Sequence, residues 1–244
     1  MNKEGIYNQE FIALTQKHII SAEKILNIIF QYYRPKNIID VGCGSGSWLK
    51  AAGDMGVESL TGIDGKWLKR EMLLSDDIKL ITHDLDKSIP PSGNFELAIS
   101  LEVAEHLPEN RAESFIEDLC KLSNVILFSA AIPHQGGDHH INEQWQSYWY
   151  GMFRDNNYLC FDIIRHQIWN DEQIKSWYKQ NCLVYVHKDQ AGIFEKKLAG
   201  KYPLDIVHKD IFLSNPENFK YFHTTIRQKN IDIWKYLHLI LLII

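Results

Sequence analysis

The chain is poor in cysteine. Cys43, Cys120, Cys160 and Cys182 are the only four in 244 residues. None of them pair at metal-finger spacing, and no disulfide framework is visible. A small cross-linked scaffold and a zinc ribbon are therefore excluded. A basic excess is also missing. The 26 Lys and Arg face 31 Asp and Glu, for a formal net charge of -5. That balance gives no overall pull toward nucleic acid or an anionic membrane. Long apolar runs are absent as well. YLHLILLII at 236–244 is far shorter than the roughly 20 residues that span a bilayer. It is expected to pack as a core strand or helix. The first residues, MNKEGIYNQEF, lack the apolar centre of a signal peptide. These absences together predict a reducing, cytoplasmic setting and no transmembrane segment.

What is present is ordinary for a globular chain: 45% hydrophobic residues and 23% charged. A sizeable core is affordable at this length. One domain is expected over residues 1–190, with an active-site insertion near 133–157. A C-terminal extension, 191–244, is expected to pack on the same domain. Ile12, Ile19, Ile20, Ile25, Ile28 and Ile29 recur at helical spacing, and Pro35 stops that helix. NIIDVG then reads as a buried strand running into a tight turn. The alternation continues: SLTGID as a strand, a helix from Trp67 to about Leu74, and IKLIT and FELAIS as strands. A helix over 109–122 follows, then NVILFSA as a strand. A helix near 143–155 precedes the strand YLCFDIIR, the short helix EQIKSWYKQ and the final strand CLVYVHK. Strands alternating with helices imply an α/β fold with a mostly parallel sheet covered on both faces.

Three glycines, Gly42, Gly44 and Gly46, sit at the first strand-to-helix turn, just after Asp40. Glycine lets a backbone turn tightly and approach a ligand closely. The helix that follows offers free N–H groups. The spacing is GxGxG, so neither the dinucleotide GxGxxG nor a P-loop is present.

IIDVGCGSGSWL, followed by GID, HDLD and FELAISLEVAEHL, resembles the ordered motifs of class I S-adenosylmethionine-dependent methyltransferases. The resemblance covers roughly residues 36–130. It implies a Rossmann-like seven-stranded, mostly parallel sheet with the last strand antiparallel. It also implies that the glycine loop runs under the methionine part of S-adenosylmethionine, with Asp40 near the amino group. Asp64 would bind the ribose, Asp84 and Leu85 would flank the adenine, and Leu101 would complete the cofactor-binding set.

SLEVAEHLPE, at 100–109, packs Glu102, Glu105 and His106 into five positions. All three fall within about one helical turn, so they can face one pocket. Carboxylates with imidazole suit Mg, Mn, Fe or Zn by ligand type. The same residues also suit metal-free acid–base work, with His106 as general base. A third reading is a polar first turn of a helix. ExxEH with the later HxxExW is similar to the metal pattern of small-RNA 3′-end 2′-O-methyltransferases. An EVxEH segment also occurs in ubiquinone-pathway O-methyltransferases that use a divalent ion. The resemblance implies Glu102, Glu105, His106 and His140 as ligands, with His134 and His139 in reserve. His106, His140 and Glu102 are then the catalytic candidates.

The segment SAAIPHQGGDHHINEQWQSYW, with IRHQIWN and WYKQN, resembles methyltransferases associated with bacterial surface-polysaccharide and glycan synthesis. That second resemblance covers about 128–187. It implies O-methylation of a small-molecule acceptor, either a sugar or a phosphorylated or nucleotide-linked glycan precursor. Trp145, Trp149, Tyr150 and Trp169 read first as core at helical spacing and second as rings that stack on the acceptor. Arg154, Arg165 and His166 read first as surface charges and second as phosphate ligands. RNA 2′-O-methylation and a non-catalytic cofactor-binding protein stand as alternatives. The acidic balance counts against the first of these. Monomer and oligomer both remain open.

Overall fold

The computed structural model describes residues 9–90, 93–194 and 204–215. The apolar run at 236–244 lies outside the described residues. Helix α1 (Gln9–Phe30) leads into strand β1 (Asn37–Val41), helix α2 (Ser47–Asp54) and strand β2 (Ser59–Asp64). Strands β3 (Ile78–Thr82) and β4 (Leu97–Leu101), helix α3 (Ala112–Leu122) and strand β5 (Val125–Ser129) follow. The remaining elements are α4 (Gln146–Asp155), β6 (Tyr158–Phe161), α5 (Arg165–Ile168), α6 (Ser176–Asn181), β7 (Leu183–His187) and α7 (Lys209–Ser214).

The seven strands form one sheet in the order β3-β2-β1-β4-β5-β7-β6. Strands β1 to β5 pair in parallel, and β7 runs antiparallel to both β5 and β6. That is the predicted topology. Side chains of each strand alternate between two cores, as the period of two requires. Ile38, Leu97, Ile99 and Leu127 pack with α1 and α2 on one face. Ile39, Ala98, Ile126 and Phe128 pack with α3 and α4 on the other. Phe115 of α3 is fully buried in the second core. Truncating it to alanine should cost about 3–5 kcal/mol. Among the described residues, no helix is long and apolar enough to cross a membrane.

Three expected elements differ. Residues 67–74 form a turn containing one short 3-10 segment, Arg70–Met72, rather than a helix. The Arg70 guanidinium donates to the carbonyls of Ile78 and Asp76, which folds this stretch back onto the start of β3. Helix α4 starts at Gln146 rather than near 143, because Glu143 is spent on the preceding loop. Strand β6 ends at Phe161. Asp162 then accepts from the Arg165 backbone and guanidinium and turns the chain into α5.

The topology also locates the site. Strand β1 has β2 on one side and β4 on the other, so the chain reverses its direction of winding there. In open α/β sheets, ligands bind beyond the carboxyl ends of the strands at such a reversal.

Candidate active site

A cavity of about 430 Å³ opens at those carboxyl ends. Its floor is the glycine loop. Gly42 has φ of 83°, and a Cβ there would sit 2.4 Å from Val103 Cγ2. Gly46 has φ of 76°, and a Cβ would meet Ile78 Cδ1 at 2.6 Å. Both positions therefore require glycine for conformation and for space. Asp64, at the end of β2, holds the loop from below. It accepts from the Gly44 N–H at 2.8 Å and the Gly65 N–H at 2.7 Å. Burial raises the Asp64 pKa, and those two amides oppose the shift. Asp40 lines the cavity itself. Burial, reinforced by Asp64, pushes its pKa up to about 8. An acid held that high favours a cationic neighbour, such as an ammonium group.

The opposite side is the tip of β4. Glu102 adopts φ of 55°, in the left-handed region that a non-glycine residue enters only at a cost. Its carboxylate is clamped. Gln135 Nε2 donates to Oε2 at 2.8 Å, and Asn181 Nδ2 donates to Oε1 at 3.1 Å. Burial raises its pKa, and its hydrogen bonds with Ser129, Asn181 and Gln135 counter that rise.

Glu105 is in the reverse condition. It is fully buried, and neither carboxylate oxygen has a hydrogen-bond partner. Burial and the neighbouring Glu102 push its pKa well up. The backbone amides of Glu105 itself and Ala131 pull the other way without reaching hydrogen-bond geometry. Two imidazoles face this carboxylate. One donor atom each from Glu105, His106 and His140 lie within 4.8 Å of one another. The His106 and His140 rings meet edge-on at 4.8 Å between centroids.

The orientation of both rings is set from behind. His106 Nδ1 contacts the His139 carbonyl at 3.3 Å, and a carbonyl only accepts, so the proton is on Nδ1. His140 Nδ1 likewise donates to Glu143 Oε1 at 3.0 Å. Each ring therefore keeps its Nε2 lone pair available. Glu143 also accepts from the His134 and Gly136 amides, both at 2.8 Å. The Ile141 and Asn142 amides donate to the Glu105 carbonyl and bind the loop to the β4 tip. His134 and His139 both have positive φ, 67° and 59°. The strain at this site is thus shared between the two strand tips.

The structure gathers most of the expected residues and separates others. Asp40, Gly42, Gly44, Leu101, Glu102, Glu105 and His140 line the cavity. Asp64 lies beneath the glycine loop, and Gly46 is turned toward Ile78. Asp84 is exposed and pairs with Lys87 at 3.1 Å. Leu85 is half-buried against the second core. His106 is an exposed member of the Glu105 cluster. Glu102 stands outside that three-residue cluster, because its oxygens are taken by amides. The expected stacking aromatics are elsewhere. Trp149 is core against Phe128, Trp169 packs on His208, and neither Trp145 nor Tyr150 lines the cavity. Arg165 is buried on Asp162 and the carbonyls of Gln180 and Leu204, and Arg154 pairs with Asp155 at the surface. His18, Trp48, Trp177 and Tyr178 do line the cavity. Trp48 stands in IIDVGCGSGSWL, and Trp177 and Tyr178 in WYKQN, but the sequence assigns none of them a role, and His18 lies outside every motif. Gln135 and Asn181 likewise lie inside the motif segments, which assign them no role.

Similarity to known proteins agrees with this fold. Over 93 residues the chain is 31% identical to a sphingolipid C9-methyltransferase of Candida albicans. It is 32% identical over 98 residues to a probable chloroplastic tocopherol O-methyltransferase of rice, Oryza sativa. These matches cover 33% and 37% of this chain but only 18% and 26% of the two relatives. Magnesium protoporphyrin IX methyltransferase from Synechocystis, solved with bound S-adenosylhomocysteine, superposes with a TM-score of 0.53 at 16% identity. That superposition covers 75% of this chain and 90% of the other. The methyltransferase-domain family matches residues 20–188, well over half of the chain, which therefore belongs to that family.

Proposed function

We propose that this chain transfers the methyl group of S-adenosylmethionine to an acceptor hydroxyl. In this reading Glu105, His106 and His140 hold a divalent ion beside that hydroxyl. One observation carries the metal assignment. Glu105 is buried with both oxygens unpaired, and it faces two imidazoles whose Nδ1–H groups are already anchored. A buried carboxylate without partners costs free energy unless something cationic meets it. Anchoring the remote ring nitrogen on a carbonyl or carboxylate is the usual support of a metal-binding histidine. Two imidazoles and one carboxylate suit Mn, Fe or Zn better than Mg.

When bound, such an ion lowers the pKa of a hydroxyl that it ligates. The chain's own residues do the rest. The glycine loop and Asp40 hold the methionine end of the cofactor. Asp64 fixes that loop and offers its remaining lone pairs to the ribose. Glu102, held rigid by Gln135 and Asn181, orients the acceptor oxygen and takes its proton. Alignment of nucleophile, methyl carbon and sulfur supplies most of the rate. The acceptor class suggested by residues 128–187 is a sugar hydroxyl, free or in a phosphorylated or nucleotide-linked glycan precursor.

The test combines metal content and turnover. The purified protein is assayed for bound metals, then for methyl transfer to a panel of sugars and nucleotide sugars, with and without chelator. Loss of both metal and activity in Glu105→Ala and His140→Ala supports the reading. A metal-free protein with undiminished turnover in chelator overturns the metal assignment. His106→Ala then tests a metal-free base.

A further inference from the structure

One wall of the cavity is unused by the groups assigned so far. His18 of α1, Trp48 of α2, and Trp177 and Tyr178 of α6 form it. Their rings touch. Trp48 meets Tyr178 edge-on at 5.2 Å, and His18 lies 5.9 Å from Tyr178 and 6.1 Å from Trp177 between centroids.

The polar tips of this wall form a directed chain. The Trp48 indole N–H contacts Tyr178 Oη at 3.4 Å. An indole only donates, so Tyr178 accepts there and keeps its own proton. Tyr178 then donates to His18 Nδ1 at 3.0 Å. That assigns the His18 tautomer: Nδ1 accepts, and Nε2 carries the hydrogen. Burial, aided by Lys175, lowers the His18 pKa to about 4, so the ring is neutral at physiological pH. The wall is therefore aromatic and uncharged, and its N–H donors not spent in that chain are His18 Nε2–H and the Trp177 indole.

Across the cavity stand three carboxyl groups, Asp40, Glu102 and Glu105. Among the described residues, no Lys or Arg lines the cavity. With Asp40 matched to the cofactor's ammonium and Glu105 to the ion, Glu102 is the acid an anionic acceptor would face. That acceptor would lose its water without gaining a guanidinium or ammonium of the described residues. A phosphate group is normally held by charge-assisted donors of that kind. An uncharged ring, in contrast, fits an aromatic-lined pocket with few polar groups.

We infer that the acceptor is an uncharged, ring-bearing hydroxyl compound, packed on Trp177 and Tyr178 with one oxygen taking the His18 N–H. This rests on the hydroxyl-methylation reading and narrows it. Phosphorylated and nucleotide-linked forms are excluded from the inner cavity.

The test uses protein loaded with S-adenosylhomocysteine. Phenyl glycosides and simple phenols, each paired with its phosphate ester, are titrated while tryptophan fluorescence reports on Trp48 and Trp177. The uncharged members should bind, and their phosphate esters at least tenfold more weakly. His18→Phe, which keeps a ring and loses the donor, should weaken uncharged binding about tenfold, and His18→Gln should restore most of it. S-adenosylhomocysteine affinity should stay unchanged in both variants. Phosphate esters that bind as tightly as their parents overturn the inference, as does a panel in which nothing binds. If uncharged members bind yet receive no methyl group from S-adenosylmethionine, the cavity inference stands and the hydroxyl-methylation reading fails.

Discussion

Replacing Glu105 with methionine should make the metal-free protein more stable while abolishing metal binding. Glu105 is fully buried, and both of its carboxylate oxygens lack partners. Leaving a buried polar group unsatisfied costs about 1–3 kcal/mol, and more for a charged one. Methionine is flexible and apolar, so it can fill the space without that penalty. For a chain of this size each kcal/mol moves the melting temperature by about 2–4 °C. The variant should therefore melt about 2–12 °C above wild type in chelator. Added metal should reverse the order. At a free concentration of about 1,000 times Kd, an ion that binds only the native state contributes about 4.1 kcal/mol, which the variant cannot receive and which exceeds its advantage of about 1–3 kcal/mol. Scanning calorimetry in chelator, then with Mn or Zn, reads both effects. If the variant melts below wild type in chelator, the carboxylate already has a stabilising partner in the protein. An ion is then not needed to offset the burial of this cluster.

Other expectations follow from the same geometry. Asn181→Leu removes the donor to Glu102 Oε1 and leaves that buried oxygen unpaired. It should cost about 1.5–3 kcal/mol in transition-state stabilisation, seen as a fall in kcat at unchanged S-adenosylhomocysteine affinity. An unaffected kcat would show that Glu102 needs no clamp. Gly42→Ala forces a Cβ to within 2.4 Å of Val103 Cγ2 at φ of 83°. It should destabilise by about 1–3 kcal/mol in urea unfolding, and adding Val103→Ala should recover only the steric part, because the backbone strain remains. Full recovery would mean that φ at this position is unstrained. Asp40, with its pKa at about 8, holds a proton in the empty folded site that the unfolded chain releases near pH 4. The folded state thus binds more protons between these limits, so stability should fall as pH rises from about 4 to 8. Asp40→Asn should flatten that slope. An ammonium placed beside Asp40 would drive the proton off. Calorimetric titration of S-adenosylhomocysteine at pH 6.5, in two buffers of different ionisation enthalpy, should therefore show close to one proton released. No release would separate Asp40 from the amino group.

Much of the fold was legible because its signals are local. NIIDV and LAISL are short apolar runs that both faces of a parallel sheet can bury, and each ends at a change of texture. The glycines after Val41 were legible for a similar reason: a strand-to-helix turn leaves no room for a Cβ beside Val103. Glu105 and His106 stood out through ExxEH at one strand tip, together with the resemblance of that pattern to metal-dependent methyltransferases. The spacing alone left an acid–base pair and a polar helix start open. The segment 67–74 misled because its apolar residues suit a helix. What decides its shape is Arg70 reaching forward to the carbonyls of Asp76 and Ile78, which no periodicity reports.

The residues that escaped notice share one property, which is distance along the chain. His18 reaches Tyr178 across 160 positions, and Trp48 reaches it across 130. Asn181 meets Glu102 across 79. Each comes from a helix whose sequence reads as ordinary amphipathic packing, and it reaches the cavity region only because three helices converge near the strand tips. The same logic applies to the aromatics. Trp149 stands in the segment richest in Gly, His and aromatics and is core, and Trp169 packs on His208. Trp177 and Tyr178, in a plainer helix, line the cavity instead. Local pattern thus identifies the groups at one strand tip of the cavity. Its other wall is set by long-range packing. Acceptor specificity in this chain should therefore respond to substitutions on α1 and α6, while metal binding should respond to the β4 tip and the loop at 134–143.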